Sequence, residues 1–489
     1  MTITFEAEIR KGEITNLSEF AREVQKQGEE IGRESVRQFL EQYDQVLLAE
    51  RDKNRYRSKG LRTTSIKTRL GVIEYQRRVY QDLQAEEGKR CVYLLDDVIQ
   101  RDGVGLYSGD ICELAVQFAC QGSYRDAARQ ISDATGLQIS HQSVWNIVQR
   151  MGERERKRVS RHTELMQAKQ GVGTIETPLL YEENDGIWLH MQGKDRAFCG
   201  KSKEMKVGIA YDGVLWKKKD GVVKRRELDE KVAFASFESA KEFENHKKGV
   251  ISSRYDLDSV ELLVKNGDGA NWIQKNAETN TITVLDEFHR NKKLTECVWD
   301  KEFAQVLRGL LFAKDVDGLL ACLEAQITTL SVVPGRAEEV EKLMELQRYY
   351  TENKASLLGY YDRGVEIPPT RKPGVIHHAR LGSMESNVFT LIGNRMKGRR
   401  HCWSVAGANN LGLLLCEYHT TGLGRLHAPL PNHPVREEPW VDPGRPLSHR
   451  EAMEKVGRGY EYPRQAEISA SCPFMRFVLR SLPFGELKL

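Results

Sequence analysis

From Leu17 to Arg51 the apolar residues Leu17, Phe20, Val24, Ile31, Phe39, Leu40, Tyr43 and Leu47 recur at near-helical spacing between charged positions, which predicts one long surface helix. The period then shortens to two. In TSIKTRLGVIEYQRRVYQD, β-branched and aromatic residues alternate with polar ones on both sides of Gly71, the pattern of a β-hairpin carrying Lys67, Arg69, Arg77 and Arg78. A cationic stretch, Arg51, Lys53, Arg55, Arg57, Lys59 and Arg62, leads into it as a predicted basic loop. Loop and ribbon together suit phosphates; a solvated hairpin face is the competing reading.

Helical spacing returns in SYRDAARQISDATGLQISHQSVWNIVQRMGERERKRVSR. A helix from about Tyr124 to Thr135 meets Gly136, and Ser140 is placed to cap a second helix from His141. That is helix-turn-helix spacing, with Ala127, Ala128 and Ile131 expected to pack on Val144, Ile147 and Val148. The outer face of the second helix offers His141, Gln142, Ser143 and Asn146 to base edges or phosphates, and the helix continues into Arg154, Arg156, Lys157, Arg158 and Arg161. A plain helical hairpin is the alternative.

Periodicity is lost around Gln167 to Thr174, a predicted linker. Strand patterns follow in PLLYEENDGIWLHMQ, EMKVGIAYDGVLW and KVAFASFES, then a helix from Ala240 to Arg254, then buried-type strands in VELLVKNGDG and TITVLDEF around the short helix NWIQKNA. Three strands, a helix, a strand, a helix and a strand is the order of a ribonuclease H-like sheet. From Thr295 to about Tyr361 the spacing is helical, an all-helical insertion after which no strand is expected before a charged helix near Gly382. Ala428 to Leu447 is rich in proline and reads as an extended arm.

The expected fold class is therefore α+β and multidomain. Residues 1–60 form an N-terminal helical region, 61–166 a DNA-binding region with hairpin and helix-turn-helix, and 175–294 the first part of a ribonuclease H-like core. Residues 295–375 form the helical insertion, 376–425 the closing helix of the core, and 426–489 the proline-rich arm.

Composition adds exclusions. The 489 residues are 40% hydrophobic and 29% charged, enough to bury cores, and no apolar run is long enough to span a bilayer. Met1 to Lys11 is polar and unlike a signal peptide, so the cytoplasm, on the nucleoid, is the expected location. Nine cysteines occur without any Cys-x-x-Cys pair, which speaks against a zinc ribbon or disulfide framework. The net charge of +4 is too mild to identify a nucleic-acid partner by itself.

Three acids fall where a strand or helix would present them at a sheet's edge: Asp185 after the first strand, Asp268 after the fourth, and Glu385 at the start of a late helix. Two Mg²⁺ ions about 3.5–4 Å apart, held by hard oxygen ligands, stabilise the attacking and leaving oxygens of a phosphoryl transfer. On that reading Asp185 bridges both ions, Asp268 holds the ion on the nucleophile side and Glu385 the one on the leaving-group side; Mn²⁺ is able to substitute. Local alternatives exist for each. Asn184-Asp185-Gly186 has the form of a type I′ turn, Gly267-Asp268-Gly269 that of a strand-to-helix turn, and Glu385 that of an acid favoured by a helix dipole.

The strings YLLD, ISHQSVWNIVQ, NGDGANWI, LDEFHRNK and SMESNVFTLIGNRMKGRRHCWS resemble bacterial insertion-sequence transposases of the ISLre type, grouped with the Mutator-like DDE superfamily, over roughly Ser65 to Tyr418. The resemblance implies a ribonuclease H-like catalytic core with a helical insertion before the last acid, and the acid triad Asp185, Asp268 and Glu385. It also implies a Cys-or-Asp, two residues, His signature, met by Asp286 to His289, which would set His289 beside the active site. Two features depart from the family pattern: Glu182 and Glu183 stand just ahead of Asp185, so Glu183 competes as a ligand, and the proline-rich end matches nothing. Arg395, Lys397, Arg399 and Arg400 would meet DNA phosphates near the cut, with a solvated helix face as the alternative.

The expected function is that of a DNA transposase, cutting strands at terminal inverted repeats and joining them to a target, as a dimer or larger assembly on double-stranded DNA. A DNA-binding protein derived from such an enzyme that no longer cuts, and a structure-selective nuclease on the same fold, are the competing classes.

Overall fold

Helix α1 (Leu17–Glu50) starts where the Asn16 side chain accepts from the Glu19 amide, and it buries Leu40 and Asp44. The computed structural model describes residues 16–85, 91–99, 103–171, 173–219, 222–274, 280–370, 372–377, 380–398 and 401–433. Strands β1 (Tyr56–Thr68), β2 (Gly71–Asp82) and β3 (Cys91–Val92) form an antiparallel sheet, its first turn closed by Gly71 at φ 106°. Most of the segment expected as a basic loop is thus strand. Part of the charge of this segment and of the hairpin is spent internally: Arg55 pairs with Asp82 at 3.1 Å, Arg78 with Asp44 of α1 at 2.7 Å, and Arg77 with Asp96 of helix α2 (Leu94–Ile99).

Helix α3 (Gly109–Gln121) is not among the predicted elements, although Asp110, Glu113, Gln117 and Gln121 line one face at helical spacing and eight residues are buried on the others. Helix α4 (Tyr124–Thr135) is capped by Ser123 and stopped by Gly136 in the left-handed region at φ 67°. Helix α5 (His141–Gln167) begins at Ser140, whose hydroxyl accepts from the Ser143 amide. Ala127, Ala128 and Ile131 share one buried cluster with Val144, Ile147 and Val148, as their spacing predicts.

Strand β4 (Leu179–His190) is the centre of a five-stranded sheet. Helix α6 (Gly193–Cys199) links it to β5 (Ser202–Tyr211). The chain then leaves through β6 (Gly213–Lys219) and β7 (Val222–Asp229) and returns as β8 (Val232–Ser236). Helix α7 (Ala240–Ser252), β9 (Leu262–Gly267), α8 (Asn271–Gln274) and β10 (Thr281–Leu285) follow. The strand order is β10-β9-β4-β5-β8, with β5 alone antiparallel to its neighbours. EMKVGIAYDGVLW, expected as one strand, divides at Asp212 because β6 pairs with β7 in a separate small sheet. That sheet also takes β11 (Val375–Ile376), a short strand that the expectation of none before Gly382 overlooked.

Helices α9 (Glu287–Cys297), α10 (Lys301–Phe312), α11 (Val316–Ser331) and α12 (Ala337–Glu352) pack on a core of their own that includes Leu294, Leu307, Leu323 and Leu346. Helix α13 (Met384–Val388) runs through a π-turn at Phe389–Gly393 into α14 (Asn394–Met396). Helix α15 (Val405–Thr421) is buried along most of its length, which leaves it no amphipathic period to read. One face of the sheet packs on α13 and α15 in a core that also holds α3, α4 and α5; the other packs on α7 through Phe234, Phe243 and Tyr255.

Among the described residues the architecture is mixed α+β with three sheets. Among the described residues no helix is long and apolar enough to cross a membrane, and no disulfide joins the cysteines. The proline-rich arm lies, from residue 434 onward, outside the described residues.

Helices α5 and α15 cross where Gly152 faces Asn410; a side chain on Gly152 would begin 2.5 Å from the Asn410 Cβ. Gly152→Val should therefore cost about 1–3 kcal/mol by overpacking, seen as a lower thermal midpoint. A midpoint equal to that of the wild type would contradict this close crossing.

Candidate metal centre

The central strand carries a polar run, Glu182, Glu183, Asn184 and Asp185, in a position where all four are buried. A buried charge is costly unless it is paired and hydrogen-bonded, so the partner of each residue is informative. Glu182 faces α7. Burial alone would raise its pKa, but Lys247 at 2.6 Å, and Lys265, hold it below the ordinary carboxylate range, while Asn184 donates to it at 2.7 Å.

Glu183 points to the opposite face and is wholly enclosed. It accepts from the Tyr211 hydroxyl at 2.6 Å, from Asn266 Nδ2 at 3.0 Å, and from the backbone amides of Gly382 at 2.8 Å and Ser383 at 2.9 Å. With these donors on its two oxygens it is engaged by protein, which answers the question of whether it competes with Asp185 as a ligand.

Asp185 lies inside β4 rather than after it, paired with Val207 of β5, so the turn expected as an alternative for Asn184-Asp185-Gly186 does not form. Its Oδ1 accepts from the Gly186 amide at 2.7 Å. Burial pushes its carboxyl up to about 6; the Gly186 amide and His289 work against this, while the charges of Asp268 and Glu385 add to it.

His289 reaches the same spot from α9. Asp286 caps that helix, its Oδ1 accepting from the amides of Phe288 at 2.9 Å and His289 at 3.2 Å, while Asn266 donates to its Oδ2 at 2.9 Å. His289 Nε2 then stands 3.8 Å from Asp185 Oδ2 and 3.9 Å from Glu385 Oε2. Glu385 sits in the first turn of α13 with its side chain 58% exposed. One ligand atom each from Asp185, His289 and Glu385 fall within 4.8 Å of one another. Two carboxylates and an imidazole at that spacing are a donor set fit for a divalent cation, and the imidazole favours Mn²⁺ over Mg²⁺ relative to an all-oxygen set.

Asp268 does not join that close group. It follows β9 directly, its Oδ1 accepts from the Ala270 amide at 2.8 Å, and its carbonyl accepts from the Tyr349 hydroxyl at 2.7 Å. Its charge nevertheless raises both Asp185 and Glu204. Glu204, on β5, lies over Gly186 in the space where a side chain would otherwise stand, and burial is the main cause of its raised pKa. Neither Glu204 nor Asn266 was singled out from sequence, since a lone Glu in a strand and an Asn before Gly-Asp carry no local signal.

The cations divide. His141, Gln142 and Asn146 are exposed on the first turns of α5, with Ser143 half-buried beside them. Arg158, expected on DNA, is instead buried: it pairs with Glu155 and donates to the Ala428 carbonyl at 2.9 Å. Arg154 reaches the carbonyls of His427 at 3.5 Å and Ala428 at 3.4 Å. Arg395 is likewise buried, donating to the Ala119 carbonyl at 2.6 Å and lying over the rings of Tyr124 and Trp403. It faces inward because the helix containing it packs into the core, and burial lowers its pKa. Lys397 is exposed; Arg399 and Arg400 lie outside the described residues.

The sequence profile of an uncharacterised protein family, UPF0236, matches residues 10–426. A protein of Streptococcus gallolyticus described as "UPF0236 protein in vanSb 3'region" is 24% identical over 414 residues, covering 82% of each chain. A UPF0236 protein of Caldanaerobacter subterraneus subsp. tengcongensis, named after eleven loci, is 24% identical over 359 residues, covering 72% of this chain and 69% of its own. A second protein of that organism is 22% identical over 344 residues, covering 69% of this chain and 67% of its own. These matches correct the family assignment drawn from short strings. The resemblance to ISLre-type and Mutator-like transposases is replaced by UPF0236, which matches nearly the whole described chain and whose relatives carry the same name.

The raised Asp185 carboxyl sets a pH dependence. Its folded pKa of about 6 exceeds the ordinary 3.8, so its neutral form is favoured by folding. The stability it contributes is complete below about pH 4 and is lost as pH rises through about 6. In chelator, Asp185→Asn should melt higher than the wild type at pH 7.5, by up to about 3 kcal/mol, and the gap should close by pH 4. Thermal melts across that range check it; a gap independent of pH would contradict the assignment.

Proposed function

Since the chain belongs to the uncharacterised protein family UPF0236, we propose from the site itself that it is a metal-dependent enzyme that cleaves and joins DNA strands, the activity of a transposase. The observation that carries the proposal is the convergence of Asp185, His289 and Glu385 over the central strand of the five-stranded sheet. The order β10-β9-β4-β5-β8 with β5 reversed supports a ribonuclease H-like core: three antiparallel strands in sequence, then two parallel ones on the other side of the first. Asp185 on the central strand, Asp268 after its parallel neighbour and Glu385 on a helix packed over the sheet are the three acids of that reading.

Divalent ions at such a site supply charge neutralisation and alignment for an in-line displacement at phosphorus. Asp185 contributes the most buried oxygens, Glu385 the exposed ones, and Asp268 adds negative charge beside them. His289, its Nε2 between the two carboxylates, would join them in holding an ion there. Within the helix-turn-helix reading of α4 and α5, His141, Gln142, Ser143 and Asn146 lie on the open face, and Arg156 and Lys157 are exposed farther along the helix. Those two take the phosphate-contacting role that Arg158 is too buried to fill. Two DNA ends held together call for at least a dimer on DNA.

A relative's name supports the same reading from another direction. A gene found at eleven loci of one genome is what an element that copies or moves itself leaves behind.

The test uses the full chain, Mn²⁺ or Mg²⁺, and labelled DNA carrying the sequences that flank its own gene. The wild type should nick that DNA at the flanks and join the freed ends to a second duplex. Asp268→Asn should retain the DNA and cut nothing, and Glu385→Gln should behave alike. Binding without cutting by the wild type would overturn the enzymatic reading, and cutting without joining would reduce it to a nuclease.

A further inference from the structure

The carboxylate of Glu183 occupies a position that none of the chemistry above uses. Its four donors come from three separate pieces of chain: Tyr211 of β5, Asn266 of β9, and the successive amides of Gly382 and Ser383 ahead of α13, all meeting Glu183 on β4. Asn266 passes the connection on to Asp286, the cap of α9. Every element that carries a site residue is therefore tied to this point at short range. Glu183 precedes Asp185 by two residues, Asn266 precedes Asp268 by two, Ser383 precedes Glu385 by two, and Asp286 precedes His289 by three.

We propose that Glu183 is a positioning residue whose buried carboxylate sets the separation of Asp185, His289 and Glu385 by clamping the start of α13 to β4 and β9. The proposal rests on reading those three residues as a divalent-cation site. Gly382 sits at φ 104°, a conformation that side chains rarely adopt, and it turns two consecutive amides toward one anion. Tyr211 has its hydroxyl held protonated, by burial first and by Glu183's charge next, so it remains a donor. The clamp matters because Glu385 is 58% exposed and α13 is only five residues long before its π-turn. Met384 and Val388 anchor the inner face of this helix in the core, but Glu385 lies on its open side, so the clamp on the amides just ahead of it bears directly on where that carboxylate stands. An amide at this position would turn an NH₂ group toward N–H donors and release part of the clamp.

The experiment titrates Mn²⁺ into the full chain, followed by its paramagnetic resonance signal, well below the thermal midpoint of each variant. The wild type should bind, and Asp185→Asn should abolish binding. Glu183→Gln should weaken Mn²⁺ binding about 10- to 100-fold in protein that is still folded by circular dichroism. Ser383→Pro removes one clamping amide while its φ of −79° stays within reach of proline, so it should move affinity in the same direction by less. This second variant decides the matter alone where Glu183→Gln fails to fold. A purely architectural role would lower the midpoint and leave the affinity of the folded protein unchanged, and that result overturns the proposal. Wild-type protein that binds no Mn²⁺, or binds it equally well as Asp185→Asn, overturns instead the cation-site reading beneath it.

Discussion

The structure depends on how one buried strand satisfies its own charges. Strand β4 places four consecutive polar side chains inside the protein, and a fold can tolerate that only if each finds a partner. Alternation of the strand sends Glu182 and Asn184 to one face and Glu183 and Asp185 to the other. Glu182 is answered by Lys247 and Lys265 from α7 and β9, and Glu183 by amides, an amide side chain and a phenol. Asp185 is answered less completely, by one adjacent amide and a histidine at 3.8 Å. Its high pKa expresses that shortfall, which a bound cation would make good.

The same logic explains why so many elements meet here. Helix α13 is held through backbone amides, α9 through a cap that Asn266 shares with Glu183, and the helical insertion through two adjacent tyrosines. Tyr349 donates to the carbonyl of Asp268, and Tyr350 to that of Arg290, one residue beyond His289. The insertion thus packs on its own core yet braces the backbone on both sides of the site. Helices α3 to α5 share a hydrophobic core with the sheet, so the face carrying His141 and Asn146 is part of the same packed body as Asp185.

Burial also sorts the basic residues into two kinds. Arg158, Arg395, Arg77 and Arg78 are spent on internal partners, and Arg395 is stacked between two aromatic rings. Arginine suits such places because its planar fork stays charged and satisfies several acceptors at once. The cations left for an external anion are those whose helix face is outward, such as Arg156, Lys157 and Lys397.

Local patterns sufficed for much of this protein. The capped pair α4 and α5, the hairpin at Gly71, the strands of the central sheet and the helical insertion follow from periodicity, Ser caps and glycine turns, because those signals act over a few residues. Asp268 directly after a strand and Asp286 capping the helix of His289 were legible as well, whereas Asp185, expected after its strand, lies inside it. Tertiary structure alone decided the remainder, since it depends on which faces end up enclosed. Helix α15 shows no polar side to read, Arg158 and Arg395 look like any surface cations, and Glu183 differs from Glu182 only in the direction the strand turns it. That Asp185, His289 and Glu385 share one spot, while Asp268 stands beside it, is a property of strand order and helix docking across 200 residues, a range over which no local spacing rule operates.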